Sequence, residues 1–350
     1  MSQQQQPIAI SNVDSFLGYV LAYRFLQGRR QEQQQQEIRV LARDPQNVQD
    51  LERMGAKVIQ IDYQNEQRIQ RELERVSLLL MIPEDSSNAR QEGDVLIRAA
   101  RQANVQYIGL FSLVGADEAQ EKQQRAVRNI LELEQQVQQQ FRDKHAILRS
   151  SLFNQIFYYL DPMIEGRNQL DLPVSQERKW STVDVRDIAD AVYNLSRQNG
   201  QRENTFFGTL GNEKRLYQFT GNQTRNGQEI VREWSQALGN GRKIEYKQIQ
   251  PQELEQYLRG IRDDSRFRNR PDDNNDQDQD DRQRRDRPHS LPLGRFLNDE
   301  FIRLLNDIFA LADRGKLENS TRDLQQLLGR QPQEIGEYFQ NNRDNFNKLR

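Results

Sequence analysis

Cysteine is absent from this chain, and histidine nearly so: His145 and His289 are the only two in 350 residues. With no thiol there can be no disulfide, no thiolate metal site and no cysteine nucleophile. Two histidines do not make a histidine-based zinc site, so no metal is expected. Long apolar runs are missing too. No stretch approaches the ~20 residues of a membrane-spanning helix, and "MSQQQQP" lacks the basic start and apolar run of a signal peptide. Nor is there an excess of one charge. Fifty basic residues face 52 acidic ones, for a net charge of −2, which gives no global pull toward nucleic acid or an anionic membrane. No basic recognition helix stands out, so direct nucleic-acid binding is not expected. The expected setting is the cytoplasm, with the nucleus open to it. Hydrophobic residues make up only 35% of the chain. Glutamine runs such as "QEQQQQE" fill much of the deficit.

What apolar residues there are fall into a repeating order. "PIAIS", "EIRVLAR" (37–43), "AKVIQID" (56–62), "VSLLLMIP" (76–83), "VQYIGLFS" (105–112) and "HAILRSS" (145–151) are short apolar runs. Amphipathic segments separate them, the last being a long polar helix to about residue 141. Such runs read as strands buried on both faces, and the alternation reads as parallel β-α units with right-handed crossovers. The expected fold is α/β: a doubly wound parallel Rossmann sheet in residues 1–150, with a smaller mixed α/β C-terminal subdomain. That subdomain takes residues 151–261 and 291–350 and is partly interleaved with the sheet. It contains a strand, turn and helix in "RKWSTVDVRDIADAVYNLS", strands in "LYQFTG" and "RKIEYKQI", and a helix in "GQEIVREWSQALG". Residues 262–290, almost wholly charged and amide, read as a disordered insertion. Order returns in "FLNDEFIRLLNDIFALADRG", where Phe301, Leu304, Leu305, Ile308, Phe309 and Ala312 share one helical face and Gly315 is placed to end the helix.

A doubly wound sheet binds ligands beyond the carboxyl ends of its strands. The first such loop lies in "PIAISNVDSFLGYVLAYRFL" (7–26), a strand, tight turn and helix. A dinucleotide fold places three glycines here; this chain has Asn12, Ser15 and Gly18. Asparagine enters left-handed backbone conformations more readily than most residues, so Asn12 suits the tight turn. Ser15 brings a hydroxyl to the place where backbone would approach phosphate. Gly18 keeps the close packing of helix on strand. Asp14 would oppose phosphate unless its carboxylate points away. Strand two ends in Arg43, followed by Asp44. An arginine there suits the 2′-phosphate of NADP, where an acid would suit the ribose hydroxyls of NAD.

Several segments together resemble the NmrA-like family of atypical short-chain dehydrogenases. They are "AISNVDSFLG", "VLARDPQNVQDLERMGAKVIQID", "HAILRSSLFNQ", "STVDVRDIADAV", "YQFTGNQTRNGQEIVREWSQALGNGRKIEY" and the tail "GKLENSTRDLQQLLGRQPQEIGEYFQNN". The resemblance covers nearly the whole chain apart from the insertion. It implies one of two roles. One is a regulator or redox sensor that binds NAD(P) without turnover and addresses a protein partner such as a transcription regulator. The other is an NADPH-dependent reductase of a small carbonyl or quinone. A scaffold with an empty nucleotide pocket is the third reading. The resemblance also assigns places around the cofactor. Asn12, Ser15, Phe16 and Leu17 would face the pyrophosphate, with Asp14 in the same turn. Arg43 would face the adenosine phosphate, Asp62 and Tyr63 the adenine, and Pro83 and Glu84 the ribose. Ser112, Phe153 and Asn154 would border the nicotinamide. NADP is the cofactor implied, with NAD as the alternative.

The superfamily's Tyr-x-x-x-Lys pair is missing, because "ADEAQEKQQRAVRNILELEQQ" after strand five has no tyrosine. Lys122 is the only lysine placed to act alone there. A lysine acid must be buried to lower its pKa, and Lys122 lies among charged and amide residues that read as a surface.

Overall fold

The computed structural model describes residues 6–33, 35–120, 124–164, 166–197, 214–239, 241–264, 296–343 and 346. The backbone divides into two compact units. The first comprises Met1–Ala116, Arg128–Ser150 and Ile188–Phe219, and the second Asp117–Val127, Ser151–Asp187 and Thr220–Arg350.

The first unit is built on a seven-stranded parallel sheet. In chain order its strands are β1 (Ile8–Ile10), β2 (Ile38–Ala42), β3 (Lys57–Gln60), β4 (Leu78–Met81), β5 (Tyr107–Leu113), β6 (His145–Ser150) and β10 (Leu216–Phe219). Across the sheet they run β10-β6-β5-β4-β1-β2-β3. Chain order reverses at β1, which pairs with β2 on one side and β4 on the other. Both neighbours leave β1 in opposite directions, so a crevice opens beyond its carboxyl end.

Two features depart from the sequence reading. The strand in "LYQFTG", expected in the smaller subdomain, is the seventh strand of this sheet; β10 pairs in parallel with β6, Leu216 opposite Ile147. Its alternation of buried Tyr217 and Phe219 with more open neighbours marks an edge. At the other edge, β3 exposes Lys57 and Gln60, so it is not buried on both faces. Helices α1 (Phe16–Gln31), α2 (Gln49–Arg53), α3 (Glu66–Glu72), α4 (Ala89–Gln102) and α5 (Arg125–Phe141) follow the first five strands. On one face, Leu96, Ile97, Leu133 and Val137 join Leu79, Ile108 and Leu110 in a buried hydrophobic core. Each such side chain, fully buried, contributes about 1.5–3 kcal/mol.

In the second unit β7 (Leu152–Phe153), β9 (Lys179–Val183) and β11 (Thr224–Asn226) form one small sheet, and β8 (Gln169–Leu172) pairs with β12 (Glu245–Gln248). Helix α6 (Ile156–Ile164) follows β7, and α7 (Val185–Arg197) follows β9 and carries the chain into the first unit. Helix α8 (Gly227–Leu238) starts in a capping box between Asn226 and Glu229, which satisfies two otherwise orphaned amides. Its Trp234 stacks on Phe339 of the last helix, with ring centroids 4.7 Å apart and planes 4° from parallel. Phe157 of α6 meets both rings edge-on. These aromatics supply bulk that the low apolar fraction does not.

Helix α9 (Pro251–Asp263) continues past the expected start of the charged insertion; residues 265–290 of that insertion lie outside the described residues. Arg262 donates to Asp299 at 2.8 Å, so the chain leaves and returns at one place. Helix α10 (Asp299–Asp313) then begins, followed by α11 (Asp323–Leu328) and α12 (Ile335–Asn341). Gly315 follows α10 with φ +72°. The buried face of α10 is rotated from the expected one: Ile302 and Leu311 are buried with Leu305, Ile308, Phe309 and Ala312, while Phe301 and Leu304 are half-buried. Phe301 instead lies beside Tyr159, with ring centroids 6.5 Å apart.

Candidate functional site

The turn after β1 holds itself together. Asn12 takes the left-handed conformation, φ +47°, which asparagine tolerates. Its side-chain amide donates to the Pro83 carbonyl at 2.7 Å, tying the first turn to the loop after β4. Ser11 adds a second tie, since its hydroxyl donates to the Ile82 carbonyl and accepts from the Ile82 amide. Ser15 is the N-cap of α1: its hydroxyl donates to the Asn12 carbonyl at 2.7 Å and accepts from the Gly18 amide at 3.2 Å. The hydroxyl that replaces the second glycine is thus folded into the turn. It satisfies one of the first-turn amides, which have no partner within a helix. At Gly18, a Cβ would lie 2.1 Å from the Asn12 carbonyl oxygen. Leu17 is buried and Phe16 half-buried.

One oxygen of Asp14 is turned to the end of β2, and the other is buried with no partner among the described residues. Its carboxylate accepts from the Arg43 backbone amide at 2.5 Å and so fastens the end of β2. Asp62 accepts from the Gln64 amide at 3.0 Å and shapes the turn after β3.

Arg43 is where the sequence is least informative. Its Nε donates to Glu84 at 2.8 Å and its terminal nitrogen lies 2.6 Å from Glu92. The guanidinium sits 5.2 Å from the centre of the Tyr63 ring, and the Tyr63 hydroxyl donates to the other oxygen of Glu84 at 2.5 Å. The Arg43 side chain is 42% exposed, against 5% for Glu84 and 12% for Glu92. Burial works against the Arg43 charge, yet Glu84 and Glu92 more than offset it and hold its proton tightly. Burial raises the Glu84 pKa, with Arg43 opposing. Burial and the Glu84 charge push the Tyr63 hydroxyl well up. Asp85 is pushed to about 7, by burial first and the Glu84 charge second.

Asn12, Ser15 and Pro83 are therefore joined in one hydrogen-bonded group and Asp14, Arg43 and Tyr63 in another, where Glu84 bridges Arg43 and Tyr63. Glu92 was not anticipated. It lies in the first turn of α4, eight positions beyond Glu84 in sequence, and nothing in its local pattern marks it as an arginine partner.

Ser112 lies apart from that group. It is a buried residue within β5, and its hydroxyl donates to Glu134 of α5. Phe153 and Asn154 belong to the second unit. Phe153 is in β7 and half-buried. Asn154 donates its backbone amide to Val183 at 2.9 Å, and its buried side-chain amide has no partner among the described residues. Lys122 lies outside the described residues. Among the described residues no group of three or more acids and histidines could hold a metal ion, and no helix is long and apolar enough to cross a membrane.

Comparison with known proteins bears on the whole chain. No curated protein matches it. Among solved structures it is similar to the NADPH-dependent quinone oxidoreductase of Escherichia coli complexed with NADPH: 18% identity, TM-score 0.69, covering 95% of this chain and 99% of that one. It is similar to the Citrobacter triphenylmethane reductase complexed with NADP(H): 17% identity, TM-score 0.67, covering 96% and 99%. It is also similar to NmrA, a negative transcriptional regulator, in complex with NADP: 13% identity, TM-score 0.64, covering 97% and 95%. At these identities the likeness speaks for the fold. The model of the NmrA-like family matches residues 28–268, more than half of the chain. The chain belongs to the NmrA-like family.

Proposed function

We propose that this protein is a dinucleotide-binding regulator of the redox-sensor type, taking NADP or NAD and having little or no turnover of its own. The observation that carries this reading is the preserved turn: Asn12 left-handed, Ser15 folded back as a cap, and Gly18 in close approach. The turn brings the start of α1, with its partial positive charge, to the carboxyl end of β1, which suits a phosphate group. On this reading Asn12, Ser15, Phe16 and Leu17 line the pyrophosphate, and Asp14 orients Arg43. Arg43 meets the adenosine end, Asp62 and Tyr63 lie by the adenine, and Pro83 lies by the ribose. Ser112, Phe153 and Asn154 serve the nicotinamide end. The NADP seen with NmrA, itself a transcriptional regulator, supports both the cofactor and a protein partner of transcription-regulator type. A cytoplasmic setting with access to the nucleus goes with that partner.

A bound nicotinamide would supply hydride chemistry, and this chain's part would be to bind and orient it. The sequence has no Tyr-x-x-x-Lys pair after β5, which favours sensing over turnover. The likeness to a quinone and a dye reductase keeps NADPH-dependent reduction as the second reading. Turnover of NADPH with a quinone panel would establish it and displace the first.

Calorimetric titration with NADP, NADPH and NAD tests the binding itself. Micromolar NADP binding is expected, weakened about ten-fold or more in Arg43→Ala, since a hydrogen bond to a charged group is worth about 1.5–3 kcal/mol. No heat with any nucleotide would leave a Rossmann scaffold with an empty pocket.

A pH dependence follows from Asp85. Its pKa of about 7 stands above the ordinary 3.8, so the folded state keeps a proton that the unfolded state has lost. Folding stability from this group therefore falls as pH rises from about 4 to 7. Over pH 6–8 the same ionisation adds negative charge beside Glu84, and nucleotide binding should weaken several-fold. Asp85→Asn should flatten that step for NAD, which lacks the separately titrating 2′-phosphate. An unchanged profile in the variant would remove Asp85 as the cause.

A further inference from the structure

The cluster around Arg43 carries more charge than one phosphate-binding arginine calls for. Two carboxylates, Glu84 and Glu92, hold the same guanidinium at 2.8 and 2.6 Å. Glu84 is fixed from its far side by Tyr63, and Ser86 donates its hydroxyl to the Glu92 oxygen that meets Arg43. With one cation against two anions, these three groups are net negative when ionised. A 2′-phosphate brought to Arg43 finds Nε and one terminal nitrogen already held, so it would have to displace a carboxylate or bind the remaining terminal nitrogen close to both. A free ribose faces no such cost, because its hydroxyls can donate to carboxylate oxygens. In NAD-using folds the acid that does this stands at the end of the second strand; here the loop after β4 and the first turn of α4 supply acids at the same arginine.

Resting on the dinucleotide reading above, we infer that Glu92, with Glu84, sets the balance between NADP and NAD by holding Arg43 back from the 2′-phosphate. Glu92 is the specificity-determining residue to test, since it meets Arg43 from a helix and was assigned no place at the ribose.

The experiment measures Kd for NADP and NAD by calorimetry in wild type, Glu92→Gln and the double variant Glu92→Gln/Arg43→Ala. Glutamine keeps the shape of a side chain that is already partly exposed. Glu92→Gln should tighten NADP about ten-fold, the scale of one partly screened charge at this distance, and leave NAD within about two-fold. The gain should vanish in the double variant, because it acts through Arg43. Glu84→Gln, the independent second variant, should move the NADP/NAD ratio in the same direction. If both nucleotides bind and the ratio stays unchanged in Glu92→Gln, or both tighten equally, the inference is wrong while the dinucleotide reading stands. If no protein in the set binds either nucleotide, both fall together.

Discussion

Gly18→Ala should destabilise the protein by about 3 kcal/mol, at the upper end of what overpacking costs, and should remove nucleotide binding. An alanine within a helix ordinarily stabilises it relative to glycine by up to about 1 kcal/mol. Here the sign reverses, because the added Cβ would lie 2.1 Å from the Asn12 carbonyl oxygen and 3.0 Å from the Val13 Cα. Those are backbone atoms, and no rotamer change moves them aside. Relief would require the turn to open, and the same carbonyl accepts from the Ser15 hydroxyl and backbone amide. Gly260 provides the control: it is an exposed glycine in α9 with nothing near its Cβ position. Gly260→Ala should therefore be neutral or stabilising. Urea unfolding of both variants checks the pair. Equal behaviour would mean that the helix does not pack on the turn as described.

The second large effect is expected beneath β5 and β6. Glu134 of α5 receives Arg149 in two-point contact, at 2.9 and 2.8 Å, and the Ser112 hydroxyl as well. The side chains of Arg149 and Glu134 are only 10% and 4% exposed. Glu134→Ala should cost about 3–5 kcal/mol, because it strands a buried guanidinium. Replacing both partners with methionine should be far milder, neutral or even stabilising, since the pair's own attraction barely repays its desolvation. Denaturant unfolding of the single and double variants decides this. A double variant as damaged as the single would mean that the pair contributes net stability rather than offsetting its own burial.

Much of the framework was legible because it is local. Six of the seven parallel strands announce themselves as short apolar runs between helical patterns. Asn12 and Gly18 could be assigned jobs from residue type alone, since backbone conformation and the lack of a Cβ are properties of the residue. The glycine after α10 was likewise readable in sequence order. The seventh strand was read into the smaller subdomain, because "LYQFTG" has the same pattern whichever sheet it joins. The rotated face of α10 escaped for a similar reason: Ile302 and Leu311 fit a helical stripe as well as Phe301 and Leu304 do, and the packing partner chooses.

The candidate site divides the same way. Residue type and order determined that a strand, a tight turn and a helix start here, that an arginine follows the second strand, and that no tyrosine–lysine pair follows the fifth. Only the tertiary structure decided what those groups do to one another. It turned Asp14 onto the Arg43 amide, joined Ser112 to Glu134 and set two acids from beyond β4 against one guanidinium. Charge interactions fall off over a few ångströms of space and do not depend on distance along the chain. Arg43 and Glu92 are 49 residues apart in sequence and 2.6 Å apart in the fold, so only folding could bring them together.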